Sequence, residues 1–218
     1  MKRLLKYLFV CCICILNMSV MAQSASGIKG KVMCQGKGIS NVVVTNGFDC
    51  VLTDTKGMYS LPYHRDARFV YVTTPAGYLP QREASLPHYY KRIDSEVENY
   101  DFTLIKNPKN DDKHICLVQS DVQAAKASDI QGYMKYLKDV RQFVGERQDS
   151  DIFVLDCGDI VGNAPAIFPS YIQASNVLNL PFYRAVGNHD MEYGVRSYEH
   201  SYKTFEEYFG PIYYSFNR

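Results

Sequence analysis

The sequence predicts two parts of different class: a small antiparallel β-sandwich over residues 27–106, then an α/β half built on a parallel sheet over residues 113–218. Three observations carry this. Short β-type runs separated by turn residues fill the first part, with no helical period before about residue 126. In the second part strand, helix, strand, helix and strand patterns alternate, which gives a parallel sheet with right-handed crossovers. Two apolar runs there end in acidic turns: Asp151-Ile-Phe-Val-Leu leads into Asp156-Cys-Gly-Asp159, and Pro181-Phe-Tyr-Arg-Ala-Val into Gly187-Asn-His-Asp190. Runs of this kind fit fully buried strands, and open α/β sheets bind ligands at the carboxyl ends of their strands.

The chain begins with a secretory signal, residues 1–22: Lys2, Arg3 and Lys6 are a basic start, Leu8 to Leu16 an apolar run, and Val20-Met-Ala22 a small-residue cleavage site. The apolar run is short for a bilayer span, so the mature protein is expected to be secreted or periplasmic and to carry no transmembrane helix. Val10 is not the small residue that lipid attachment at Cys11 would require. Cleavage removes three basic and no acidic side chains and takes the formal charge from +1 to −2, a balance that predicts no nucleic-acid-specific binding. With 46% hydrophobic and 22% charged residues, the composition is that of a soluble globular protein. Export permits disulfides, and Cys34 with Cys50 is the one pair to consider; Cys116 and Cys157 fall in apolar strands, where a buried thiol is commoner.

In the first part the strand runs are Ile28–Val32, Val42–Thr45, Cys50–Thr53, Tyr59–Leu61, Phe69–Thr73 and Tyr100–Ile105. Asn46-Gly47 and Asp54-Thr-Lys-Gly57 supply turn chemistry between them. Pro75, Pro80 and Pro87 argue against regular structure from Leu79 to Val97. Within that stretch His88-Tyr89-Tyr90-Lys91 offers rings for glycan stacking, although a loop packed across the sandwich is the plainer reading. Asn107 to Asp112 is a polar linker.

In the second part a strand over 114–119 delivers Asp121-Val-Gln123 to its end. Ile130, Tyr133, Met134, Leu137, Val140 and Val144 then mark one face of a helix, with Ser128 as N-cap. A strand over 152–155, a helix over about 167–178 and a strand over 182–186 follow, then a short helix over 198–209 and the start of a strand after Gly210. This order places Asp121, Asp159 and Asn188 along one sheet edge. Such a sheet, ending after three or four strands, is expected to leave an apolar face and an edge uncovered. Carboxylates, amides and an imidazole on one edge suit a divalent cation. Asn163, in the loop after Asp159, reads more simply as a turn residue than as a metal or substrate contact. His64, His88, His114 and His200 have no motif around them.

Asp121-Val-Gln123, Gly158-Asp159 and Gly187-Asn188-His189-Asp190, in this order after three strands, resemble the calcineurin-like metallophosphoesterase family. Its blocks are Asp-x-His or Asp-x-Gln, then Gly-Asp, then Gly-Asn-His-Asp or Gly-Asn-His-Glu. A weaker resemblance links residues 27–105, through Gly30-Lys-Val and Thr53-Asp54-x-x-Gly57-x-Tyr59, to the β-rich N-terminal module of some secreted bacterial members. The resemblance implies hydrolysis of a phosphomonoester or phosphodiester at two divalent ions drawn from Fe, Mn or Zn. Asp121 and Gln123 would bind the first ion, Asp159 would bridge both, and Asn188 would bind the second. His189 would protonate the leaving oxygen, and Asp190 would orient its ring. The family's later His ligand and Gly-His-x-His block do not occur in these residues, so the chain is expected to carry the N-terminal part of the site, with weak metal binding and little turnover. The alternative is a non-catalytic exported protein whose sandwich binds a glycan or protein partner. A Cys157 nucleophile is a third reading, for which no histidine partner can be named.

Overall fold

The structure is a computed structural model describing residues 27–195 and 197–217. The expected secretory signal and Cys11 lie outside the described residues.

The N-terminal part is two facing sheets. In the first, β1 (Ile28–Cys34) pairs with β2 (Lys37–Gly38), β5 (Met58–Leu61) and β11 (Phe102–Lys106), and β11 with β7 (Tyr78–Pro80). In the second the order is β10 (Tyr90–Arg92), β6 (Phe69–Val72), β3 (Val43–Thr45), β4 (Cys50–Leu52). Alternate residues point inward, as in β5 where Tyr59 and Leu61 are buried while Met58 and Ser60 are exposed. These pairings are antiparallel except β1 with β11, which run parallel. A parallel pair needs a long crossover, and the whole of the rest of the sandwich lies between these two strands.

The proline-punctuated stretch is more regular than its composition suggests. It contains β7, β10 and a small hairpin of β8 (Arg82–Glu83) and β9 (Leu86–Pro87). Proline removes a ladder donor and is tolerated on edge strands; Pro80 closes β7, an edge strand of its sheet. Tyr89 is buried and Tyr90 half-buried in this segment, so the rings that looked available for stacking face inward.

The second part is a parallel sheet in the order β12 (His114–Gln119), β13 (Asp151–Asp156), β14 (Phe182–Arg184). Between β12 and β13 runs α1 (Ala127–Gly145), which buries Ile130, Tyr133 and Leu137 and leaves Met134 at the exposed margin of its stripe. Its N-terminus is held by Asp129 rather than Ser128: the Asp129 carboxylate accepts the Ala125 and Lys126 N–H groups at 3.0 and 3.1 Å. An ionised carboxylate is the stronger acceptor there, and these bonds hold its pKa below the usual carboxylate value. The helix expected over 167–178 is a composite: 3-10 turns at Pro165–Ile167 and Asn176–Leu178 flank α2 (Phe168–Ser175), and Asn179 ends it in the left-handed region. The last helix is split at Tyr202 into α3 (Tyr198–Ser201) and α4 (Lys203–Phe209). The segment after Gly210 makes a single bridge, Phe216 to Thr74, instead of a sheet strand.

The faces of the parallel sheet divide cleanly. Val154 and Phe182 pack under the helices with Leu137, Phe168, Tyr171, Phe205 and Phe209. On the other face Phe153 and Tyr183 belong to the same apolar cluster as Val32, Val44, Val72 and Leu104 of the sandwich. The face expected to lie bare is therefore covered by the N-terminal module. The segment 107–112 is docked to both parts rather than free: Asn107 is buried and donates to Asp151 Oδ2, while Lys109 Nζ donates to the Ser150 carbonyl. Cys34, Cys50, Cys116 and Cys157 are free thiols, and Cys157, one residue past the end of β13, is exposed. No helix among the described residues is long and apolar enough to cross a membrane.

Candidate metal centre

Three loops leave the carboxyl ends of β12, β13 and β14, and backbone hydrogen bonds lace them together. Asp121 N donates to Gly158 O (3.1 Å), Gln123 N to Asp159 O (2.9 Å) and Asn163 N to His189 O (3.1 Å). Each of the three blocks singled out in the sequence is thus fixed against another.

The backbone is unusual where the donors sit. Asp121, Gln123, Asp159 and Asn163 all adopt positive φ, between 45° and 57°. Left-handed non-glycine residues are uncommon, cost on the order of 1–3 kcal/mol each, and cluster at functional sites. Gly158 and Gly187 allow the two turns to touch. A Cβ on Gly158 would lie 2.7 Å from Gly187 N, and one on Gly187 would lie 2.0 Å from Asp159 Oδ1 and 2.2 Å from Asp159 N. A Gly187→Ala variant is therefore expected to push Asp159 out of position, costing about 1–3 kcal/mol as overpacking does. Denaturant titration and calorimetric metal titration would check it; unchanged stability and metal affinity would show that Asp159 is not held as described.

The side chains divide into open donors and buried supports. Asp121, Gln123 and Asn188 are exposed and Asp159 is half-buried. Gln123 Nε2 lies 3.3 Å from Asp121 Oδ1, and Ser120 Oγ donates to Asp121 Oδ2 at 2.6 Å. Asp159 Oδ1 accepts the His189 N–H at 3.0 Å, which ties its carboxylate to the third block. Among the described residues no three His, Cys, Asp or Glu side chains converge as a ready cage. The donor set is two carboxylates and two amides, oxygen ligands that fit a hard or borderline divalent cation; carboxylates and amides held on a strained, glycine-hinged frame are consistent with that use.

His189 and Asp190 have different surroundings from those expected. The Asp190 carboxylate is fully buried and accepts two backbone N–H groups, Val161 at 2.9 Å and Gly187 at 2.8 Å. It therefore ties the second and third loops together and does not orient the imidazole. That task falls to Asn163, whose Oδ1 lies 2.8 Å from His189 Nδ1. An amide oxygen only accepts, so Nδ1 carries the proton and Nε2 faces away from this bond. Asn163 read as a turn residue in the sequence; its left-handed φ fits a turn, and its contact with His189 depends on the two loops meeting. His64 stacks on Phe48, and His200 bonds Ser197.

Burial raises the Asp190 carboxyl from 3.8 to about 6, against the lowering by the two N–H groups and with a further rise from Asp156 and Asp159. A proton held more tightly in the folded than in the unfolded chain favours folding at low pH. This stabilisation is complete below about pH 4 and is lost as pH rises through about 6, a change of about 3 kcal/mol. Urea midpoints of the metal-free protein and an Asp190→Asn variant, compared from pH 4 to 7, should diverge by that amount; parallel profiles would show ordinary titration.

A parallel sheet with Asp121, Asp159, Asn188 and His189 in the loops at its carboxyl edge is an α/β arrangement, and open sheets of this class bind ligands at that edge. Residues 120–217 match the calcineurin-like phosphoesterase family, and residues 26–107 match the family described as the N terminal of calcineurin-like phosphoesterase. The chain belongs to the calcineurin-like phosphoesterases, hydrolases that generally use divalent metals. No curated protein matches it.

Proposed function

We propose that this chain forms part of an exported phosphoesterase in which two divalent ions, drawn from Fe, Mn or Zn, serve hydrolysis of a phosphomonoester or phosphodiester. The observation that carries this reading is the lacing of three strand-end loops that hold two carboxylates, two amides and an oriented histidine within one site. Asp121 and Gln123 would hold one ion, Asn188 the other, and Asp159 would lie between them, where shared negative charge offsets the repulsion of two dications about 3.5–4 Å apart. Bound ions of this kind lower the pKa of a coordinated water and clamp phosphoryl oxygens. Gln123 is a neutral ligand, so the ion beside it would be held less tightly than by an anionic donor. His189, its Nδ1 fixed by Asn163, would present Nε2 to the leaving oxygen and supply the proton; such help is typically worth about 10²–10⁴ in rate.

Four donors do not fill two coordination spheres, so metal binding and turnover by these residues alone would be weak. The signal over residues 1–22 supports a secreted or periplasmic location. Contact with a glycan would fall to exposed rings of the module such as Phe48 and Tyr63, since Tyr89 is inside.

The protein made by its source cells should hydrolyse bis(4-nitrophenyl) phosphate or 4-nitrophenyl phosphate, lose that activity to a chelator, and regain it with one of the three metals. Hydrolysis indifferent to chelation would sink the two-ion reading.

A further inference from the structure

Directly beneath the donor loops the sheet ends in a row of three polar side chains, one half-buried and two buried. Gln119, Asp156 and Arg184 are the last residues of β12, β13 and β14 and stand opposite one another in register. Asp156 and Arg184 are 1% and 4% exposed. Asp156 Oδ2 accepts from Gln119 Nε2 at 2.8 Å and from the Tyr171 hydroxyl. Arg184 lies over the rings of Tyr171, Phe182 and Phe209. Among the described residues no ion pair joins Asp156 to Arg184, and Asp156 Oδ1 and Arg184 Nε each lack a hydrogen-bond partner, so what ties the two strand ends is the backbone ladder, with Ala185 N donating to Asp156 O at 2.8 Å.

Arg184 is gripped from outside the α/β half. The turn of the β8–β9 hairpin in the N-terminal module inserts Ser85, which has no exposed surface, beside β14. Arg184 Nη1 donates to Ser85 O at 3.3 Å and Nη2 to Ser85 Oγ at 3.1 Å, while Phe182 N donates to Ser85 O at 3.0 Å. The Ser85 N–H and hydroxyl in turn donate to Asn176 Oδ1 at 3.2 and 2.7 Å. Ala84, the preceding residue, is held at a φ of 49° to deliver it. Alanine at positive φ is strained, and here the strain sits one residue from Ser85, whose side chain and backbone bond Arg184, Phe182 N and Asn176.

We propose that Ser85 is a positioning residue for the metal-bearing loops. By holding Arg184 and Phe182 of β14, whose end pairs with Asp156 of β13 and through it with Gln119 of β12 in the sheet ladder, a residue of the N-terminal module sets the relative placement of the loops that carry Asp121, Asp159 and Asn188. The module thereby takes part in building the site as well as covering the sheet. The inference rests on the proposed metal centre for what these loops hold; the placement of the loops is a separate, metal-independent quantity.

The test compares Ser85→Ala, which removes the hydroxyl and keeps the carbonyl, with Glu83→Ala, at an exposed position of the same hairpin. Amide hydrogen exchange in the metal-free protein reads the lacing at Asp121, Gln123 and Gly187, and calorimetric titration with Mn²⁺ reads the site. Ser85→Ala should speed exchange at those amides and weaken Mn²⁺ binding, each by about tenfold, the lower end for residues supporting metal ligands. Glu83→Ala should leave both near wild type, and Ser85→Thr, which keeps the hydroxyl, should restore them. Unchanged exchange in Ser85→Ala, or equal acceleration in Glu83→Ala, overturns the proposal. Wild-type protein that binds none of Mn²⁺, Fe²⁺ and Zn²⁺ refutes the metal centre instead, and the exchange comparison still decides the role of Ser85. Should Ser85→Ala not fold, Arg184→Lys, which keeps the charge and loses the two-pronged grip, is read by the same two measurements and with the same expected and overturning outcomes.

Discussion

Replacing Asp159 with asparagine should nearly abolish metal binding and hydrolysis while leaving the fold intact. Asparagine tolerates the left-handed φ of 53° at this position and retains an oxygen for the His189 N–H that Asp159 Oδ1 now accepts. What it loses is the negative charge that the two proposed dications would share. Metal-derived charge stabilisation is worth several kcal/mol, and each ~1.4 kcal/mol is tenfold in rate, so activity should fall by at least about 10³-fold. Asp159→Ala goes further. It removes a hydrogen-bond acceptor worth about 1 kcal/mol and puts a residue less tolerant of positive φ at the turn, so it should lose some stability as well. The pair separates charge from geometry. Chelator-sensitive phosphodiesterase activity and calorimetric metal titration are the readouts, and near-wild-type turnover in Asp159→Asn would remove this residue from the site.

How much of this could be read from the chain follows from the range of each interaction. The three parallel strands and the turns after them are local patterns: an apolar run of four to six residues, then glycine and an acid or amide. They were legible, and with them the strand-end positions of Asp121, Gln123, Asp159, Asn188 and His189. The role of Asn163 depends on a bond to a residue 26 positions later, and nothing around Asn163 differs from an ordinary turn. Asp190 shows the converse. Adjacent to His189 in sequence, it reads as the partner of the imidazole, yet the backbone turn sends its carboxylate inward to Val161 and Gly187. Ser85 sits in a stretch where proline masked two-residue strands, and its partners Asn176 and Arg184 lie 91 and 99 positions away. Tyr89 follows the plainer reading of its segment as packed across the sandwich: the ring is buried in the cluster that joins the two parts.

That overlay is also where a single substitution should act on both parts at once. Tyr183 is 1% exposed on the sandwich-facing side of β14, its ring centroid 4.2 Å from Phe216, 6.1 Å from Phe153 and 6.1 Å from Tyr89 of the N-terminal module. Truncating a buried aromatic leaves a cavity and typically costs about 3–5 kcal/mol. Because Phe153 and Tyr183 share one apolar cluster with Val32, Val44 and Val72, the loss falls on the common core rather than on either half. Tyr183→Ala should therefore lower the stability of the sandwich and the α/β half together, in one cooperative transition by both circular dichroism and calorimetry, as expected of a two-state unit. Tyr183→Phe preserves the packed ring and should cost far less. A melt that splits into two steps, with the sandwich holding its wild-type midpoint, would show that the module folds independently and only rests on the sheet. A single lowered transition would mean that the β-rich module supplies the layer on which the parallel sheet, and hence the spacing of its three donor loops, depends.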